Sequence, residues 1–193
     1  ALPILNKEDK SLAWILGDPT GWDGVDQSYF FTPEGEDFEW FYAQHNVSIL
    51  DNGDIALFDN GTAKVKRVDG DNRVSGDNVY SRAVVYQIDT ENMTVSQVTE
   101  YGKERGADWY SDWISGVVSL DGTQDHLWIT AGSHLHSDEE NRSDYYPKDM
   151  FVQGLTKTTH IDQVDNGELS FELTISGDTY NALTYRSFRM PLY

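Results

Sequence analysis

Five histidines carry most of the chemistry this sequence offers: His45, His126, His134, His136 and His160. Near pH 7 a neutral imidazole is a nucleophile and base, while an imidazolium is a proton donor or anion clamp, because the unperturbed pKa of about 6.5 lies in that range. No cysteine is present, which excludes thiolate nucleophiles, disulfides and Cys-based metal sites. His45 stands near the start of FYAQHNVSILDNGDIALFDNG, a run that alternates like sheet and breaks twice at DNG. A lone histidine in a strand is weak evidence for chemistry, and taken alone it is better explained by packing. His134 and His136 follow the small residues Ala131-Gly132-Ser133, and positions two apart share a face if the strand continues. His-x-His therefore reads as a pair of metal ligands, or as two exposed histidines of a surface loop. The metal reading finds no third ligand beyond the loose acids Asp138, Glu139 and Glu140, so no metal is assigned. His126 opens a strand after Asp121-Gly122 and His160 lies in an outer strand; neither is assigned to a site.

The elements that must position these groups are strands. Turn signals at Asp51-Asn52-Gly53, Asp59-Asn60-Gly61, Gly70-Asp71-Asn72, Asp121-Gly122, Asp165-Asn166-Gly167 and Ser176-Gly177-Asp178 punctuate short β-like runs. The runs predict strands at about Leu12–Leu16, Gln44–Leu50, Asp54–Asp59, Ser81–Asp89, Thr94–Tyr101, Trp113–Leu120, His126–Ala131, Thr158–Val164, Leu169–Ile175 and Leu183–Pro191. No segment sustains a 3.6-residue period. The strands fall into two sets of four, Gln44 to Tyr101 and Trp113 to Ile175. Each set carries one polar insertion between its inner and outer pairs, Thr62–Tyr80 and Gly132–Leu155. Repeated four-stranded units predict an all-β chain, a partial β-propeller of four-stranded antiparallel blades, with a sandwich as the alternative. ALPILNKEDKSLAWILG reads as two outer strands joined by a Lys/Asp turn, and NALTYRSFRMPLY as one closing strand.

With 193 residues the chain is expected to form a single all-β domain, residues 1–193, around an aromatic-rich core. Its 33 acidic residues against 14 basic ones give a net charge of −19, and a phosphate-tracking nucleic-acid site needs a basic stripe that this balance does not supply. No nucleic acid is expected as partner. No apolar run approaches the ~20 residues of a membrane span.

WILGD (Trp14–Asp18), TPEGEDFEWFYAQH (Thr32–His45), LFDNG (Leu57–Gly61), YSRAVVYQID (Tyr80–Asp89) and MTVSQVTEYGKERGADWYS (Met93–Ser111) occur in this order, and together they resemble the bacterial aryl-sulfate sulfotransferase family. Weaker similarity continues through TAGSHLH (Thr130–His136) to the closing TYRSFRMPLY, and corresponds to the C-terminal part of the family's usual length. The resemblance implies a six-bladed propeller acting in the periplasm or outside the cell. It also implies transfer of a sulfuryl group from an aryl sulfate to a phenol through a sulfohistidine, with no nucleotide donor and no cofactor.

On this resemblance His45 matches the histidine of the family's QH motif, which lines the central channel and helps to bind sulfate. The sulfuryl-accepting histidine corresponds to His134 or His136. An arginine that clamps the anion follows FDNG in the family; here Lys64 stands at the expected position, with Arg67 slightly beyond. Lysine keeps the charge and loses the bidentate fork. Arg82 in YSRAV matches the family motif, either as a contact to the anion or as an anchor of its blade. Thr184 and Arg186 match a closing segment that approaches the channel. Trp40, Tyr42, Trp109 and Tyr110 are candidates to stack a phenol, or core residues.

Complete propellers have about 4–8 blades, so two blades and flanking pieces need completion. The expected partners, besides aryl sulfate and phenol, are an N-terminal portion or further copies in a homo-oligomer. The alternative function is a propeller-derived binding or scaffold module without catalysis.

Overall fold

The protein is described by a computed structural model that covers residues 1–62, 64, 74–75, 79–136, 144–145, 156–177 and 182–190; the side chains of residues 74–75, 135–136, 144–145 and 156 lie outside the description. Arg67 therefore falls outside the described residues, and of His136 only the backbone is described.

Two antiparallel meanders dominate. The first runs β4 (His45–Ile49), β5 (Ile55–Asp59), β7 (Arg82–Asp89) and β8 (Thr94–Tyr101). The second runs β9 (Gly116–Ser119), β10 (His126–His136), β12 (Thr156–Asp165) and β13 (Glu168–Ile175). A hairpin of β1 (Leu2–Leu5) and β2 (Leu12–Leu16) precedes them, and the short β6 (Val74–Ser75) and β11 (Asp144–Tyr145) pair with each other. The all-β expectation and the grouping in fours are thus met, as two consecutive blades of a partial propeller; among the described residues no ring closes.

Alternation decides which face each inner side chain serves. On β5, Ala56 and Phe58 enter a core shared with Val117, Leu127, Ile129 and Ala131 of the second blade, while Ile55 and Leu57 enter a core with Leu16, Phe31 and Phe41. β7 divides likewise: Ala83 and Val85 face the second blade, and Val84 and Tyr86 face the N-terminal side. The first blade is therefore buried on both faces, which explains the fully buried run IALFD. The turns follow from the asparagines and aspartates that mark them. Asp54 donates its N–H to Asn52 Oδ1, and Asp89 Oδ1 accepts from the N–H groups of Glu91 and Asn92.

Three expectations need correction, and one strand was not foreseen. Residues 183–190 form no strand; the segment lies on the second blade, where Ser187 Oγ accepts from Trp128 Nε1 at 2.9 Å and, among the described residues, no neighbouring strand offers a ladder. β10 continues to His136, so the second insertion begins after Gly132–His136 rather than at Gly132. β9 starts at Gly116 and not Trp113, because Ile114 and Ser115 take left-handed φ values of 50° and 90°. Finally, Thr32–Glu34 forms β3, which adds to β8 in parallel.

Candidate active site

The segment Tyr110–Ser115 crosses between the blades; of the two described candidate imidazoles, His134 bonds to it directly and His45 is linked to it through Asn60. Asn60, fully buried after β5, donates through Nδ2 to the carbonyls of Ser111 at 2.7 Å and Ile114 at 3.0 Å. Those two acceptors fix the amide orientation, so Oδ1 is the atom that faces His45 Nδ1 at 2.6 Å. An oxygen acceptor there places the proton on Nδ1, and the neutral ring then carries its lone pair on Nε2. His134 obeys the same rule, since its Nδ1 lies 3.0 Å from the carbonyl oxygen of Tyr110.

Both histidines sit beside an irregularity in their ladders. His45 pairs with Phe58 and Ser48 with Ala56, so Asn46 and Val47 together oppose Leu57. In β10, Ala131 pairs with His160 and His134 with Thr158, so Gly132 and Ser133 oppose Thr159. Such bulges bend a strand and re-aim the neighbouring side chain. His45 is half-buried and His134 is 5% exposed.

The bulge before His134 is held from several directions. The N–H of Gly132 donates to Ser115 Oγ at 3.1 Å and that of Ser133 to Ser111 Oγ at 2.9 Å. The carbonyl of Gly132 accepts from the N–H of Thr184 at 3.1 Å, and a Cβ at Gly132 would run into the carbonyl oxygen of Thr184. Glycine is required there by that close approach. Thr184 also accepts a 3.0 Å hydrogen bond from Thr159 Oγ1, which places it at the same part of β10 as His134. Arg186 is exposed, with its guanidinium 5.2 Å from the ring of Tyr185.

The cationic candidates divide into two kinds. Arg82 is fully buried, and all three of its nitrogens are engaged within the protein: Nε with Asp59 Oδ2 at 3.0 Å, Nη1 with Gln97 at 2.9 Å and with Glu100, and Nη2 with the carbonyls of Glu39 and Trp40 and the hydroxyl of Tyr86. That is the arrangement of a blade anchor. Lys64 reaches the carbonyl of Tyr80 at 3.3 Å and lies over the Tyr80 ring, 2.7 Å from its centre. Burial pulls its pKa down to about 7, with Arg82 and Lys103 pushing the same way and Asp59 and Glu39 opposing. Its charge is therefore conditional near neutral pH.

Of the aromatic candidates, Trp109 and Tyr110 are core residues, Trp109 packing on Phe58 and Tyr101. Trp40 packs edge-on to Phe38, and Tyr42 donates to Asp18 at 3.2 Å. His126 bonds Asp165 at 2.9 Å across the β10–β12 pair, and His160 meets the His134 ring edge-on at 5.4 Å. Among the described residues no cluster of three or more His, Asp or Glu could hold a metal.

Sequence reasoning missed Asn60, Ser111, Asp112, Ser133 and Lys157. Asn60 was visible only as a turn residue. Lys157 lies just outside the strand predicted from Thr158, yet it is 1% exposed and its Nζ donates to Asp112 Oδ1 at 2.8 Å and Ser133 Oγ at 2.7 Å.

Residues 3–186 match the arylsulfotransferase (ASST) family. Two relatives are arylsulfate sulfotransferases AssT: that of Escherichia coli O6:H1 strain CFT073 is 31% identical over 197 aligned positions, and that of Lelliottia amnigena 27%. Each alignment covers 93% of this chain and 30% of the relative, so the chain spans under a third of the length of the curated relatives it matches.

Proposed function

The chain belongs to the arylsulfotransferase family, and on that premise we propose that it supplies the sulfuryl-accepting blade of an aryl-sulfate sulfotransferase. The observation that carries this reading is that one segment, Tyr110–Ser115, orients both imidazoles through Nδ1, His134 directly and His45 by way of Asn60. Nε2 of His134 attacks the sulfur of an aryl sulfate; the N–S bond forms as the S–O(aryl) bond breaks, and the phenolate leaves with the electron pair. A second phenol then attacks the sulfur, its proton passing to solvent, and the N–S bond breaks with its electron pair returning to Nε2, which restores the imidazole. His45 contacts the sulfate oxygens, and Lys64 adds positive charge in its protonated form. Thr184 donates a hydrogen bond to the anion from the neighbouring segment, while Arg67, Arg186 and His136 are the remaining candidates of the family match.

The activity belongs to the periplasm or the cell exterior, a placement supported by the family resemblance; no helix of the described residues is long and apolar enough to cross a membrane. Completion of the propeller by further blades, from a longer chain or another copy, accords with the exposed apolar row Leu169, Phe171, Leu173 and Ile175 on β13.

The test is incubation with a sulfur-labelled chromogenic nitrophenyl sulfate, with and without a phenol acceptor. An acid-labile label on the chain, lost in His134→Ala and discharged by phenol, is expected. A label that persists in His134→Ala and disappears in His136→Ala would move the nucleophile to His136. No label on either the wild type or its higher-mass assemblies would overturn the reading.

A further inference from the structure

Next to His134 the protein buries an ion pair for which the transfer steps have no direct use. Lys157 Nζ, Asp112 Oδ1 and Ser133 Oγ lie 2.7–2.8 Å from one another, and the three residues are 1%, 7% and 0% exposed. The hydroxyl of Ser133 donates to Asp112 and accepts from Lys157, so its rotor is fixed at both ends. A buried lysine–aspartate pair adds little stability over an apolar pair of the same size, because both charges lose their hydration. Its location is more informative than its energy. Ser133 is the second residue of the bulge, immediately before His134, and Asp112 belongs to the segment whose Tyr110 carbonyl receives His134 Nδ1. Asp112 is itself held from the first blade, where Thr62 Oγ1 donates to its carbonyl at 2.7 Å.

We propose that Lys157, Asp112 and Ser133 are positioning residues for the reaction, a buried triad that locks the Gly132–Ser133 bulge against Tyr110–Ser115 and so fixes the direction of the His134 imidazole. The lock has two ends. Lys157 comes from β12 and Asp112 from the crossing segment, so the pair ties the second blade's ladder to the strip that orients both histidines. None of the three touches substrate. They act on the rate through the angle of the His134 ring, where a misplacement of about 1 Å costs on the order of a hundredfold. The inference rests on the proposed function only for its effect on rate; the orientation of His134 is separately measurable.

The experiment compares wild type with Ser133→Ala, Lys157→Gln and the charge-neutral pair Asp112→Asn/Lys157→Gln. Two readouts are taken: nitrogen-15 NMR of the His134 ring, with the exchange rate of its Nδ1–H, and single-turnover release of the donor phenol across pH. The triad predicts at least tenfold faster Nδ1–H exchange in Ser133→Ala and Lys157→Gln, and a transfer rate lowered about tenfold to a hundredfold with KM within threefold. Folded variants with unchanged His134 signals and exchange would overturn the proposal, whatever their turnover. Ser133→Ala removes one oxygen and keeps the ion pair, so it decides the matter if Lys157→Gln fails to fold. Altered His134 signals in the variants, with no turnover even in the wild type, would leave the positioning role intact and remove the sulfotransferase reading instead.

Discussion

Replacing Asn60 by alanine tests whether the crossing segment Tyr110–Ser115 is truly hung from β5. The amide makes three hydrogen bonds, to His45 Nδ1 and to the carbonyls of Ser111 and Ile114, and it is fully buried. Their loss is unequal. Ser111 keeps a share, at 3.1 Å, of the Ser81 hydroxyl proton that also faces the Asn60 carbonyl at 2.9 Å, so it loses about 1 kcal/mol of net hydrogen bonding. Ile114 loses this donor, and a buried carbonyl left unsatisfied costs about 1–3 kcal/mol. The half-buried His45 can turn toward water and adds about 1 kcal/mol at most. The sum is about 2–5 kcal/mol for Asn60→Ala, against about 1–3 kcal/mol for His45→Ala, which takes from the buried Asn60 Oδ1 its imidazole partner. Urea unfolding measures both, with equal m-values required for the comparison. Thermal melting should show a drop of roughly 4–20 °C for Asn60→Ala, at about 2–4 °C per kcal/mol for a chain of this size. A cost for Asn60→Ala no larger than that for His45→Ala would refute the reasoning, since the histidine bond would then account for all that the amide does.

Other substitutions separate anchor from clamp. Arg82→Met leaves Asp59 as an uncompensated buried charge, and urea unfolding should register a loss of about 3–5 kcal/mol. Lys64 carries a pH signature: below about pH 7 its ammonium is protonated in both states, while between about 7 and its ordinary 10.5 only the unfolded chain keeps the proton. Wild-type stability should therefore rise with pH across that window relative to Lys64→Met, and parallel stability–pH curves for the two would sink the argument. By the same logic sulfate binding should weaken above pH 7, and Lys64→Arg should retain it to higher pH in a calorimetric titration. Gly132→Ala forces a methyl group against the Thr184 carbonyl, which should cost about 1–3 kcal/mol and loosen residues 182–190. Faster tryptic cleavage after Arg186 and Arg189 would report that loosening.

The fold was legible wherever alternation met a turn dipeptide. β2 and β8 have the boundaries that the sequence pattern predicts, because Leu12–Leu16 and Thr94–Tyr101 are flanked by unambiguous turn residues. The closing segment was misread because its aromatic and apolar residues alternate as a strand would, while among the described residues no partner strand lies alongside; pattern reports a face to cover and says nothing of who covers it. β3 was missed because three residues containing a proline carry no periodic signal. Left-handed Ile114 was illegible for a stronger reason, since a β-branched residue is among the last to be expected at positive φ.

The candidate site divides along a similar line. The imidazoles announced themselves by type, but what aims them did not, because each controlling contact joins residues far apart in the chain: Asn60 to Ser111, Asp112 to Ser133 and Lys157. Every one of these partners is a common surface residue type, and burial alone converts it into a device. A lysine 1% exposed must be matched by a carboxylate, and a carboxylate 2% exposed at its side chain must be matched by donors, so the pair specifies one docking of blade on crossing segment. An apolar pair of equal volume would hold the same surfaces together with less directional preference. The bulge at Gly132-Ser133 then has one orientation rather than several, and His134, the next residue, inherits it. Chemistry at His134 thus depends on a cross-chain polar lock as much as on the imidazole itself, and mutations at Asp112 or Lys157 should couple to His134 non-additively, whereas those at exposed Arg186 should add.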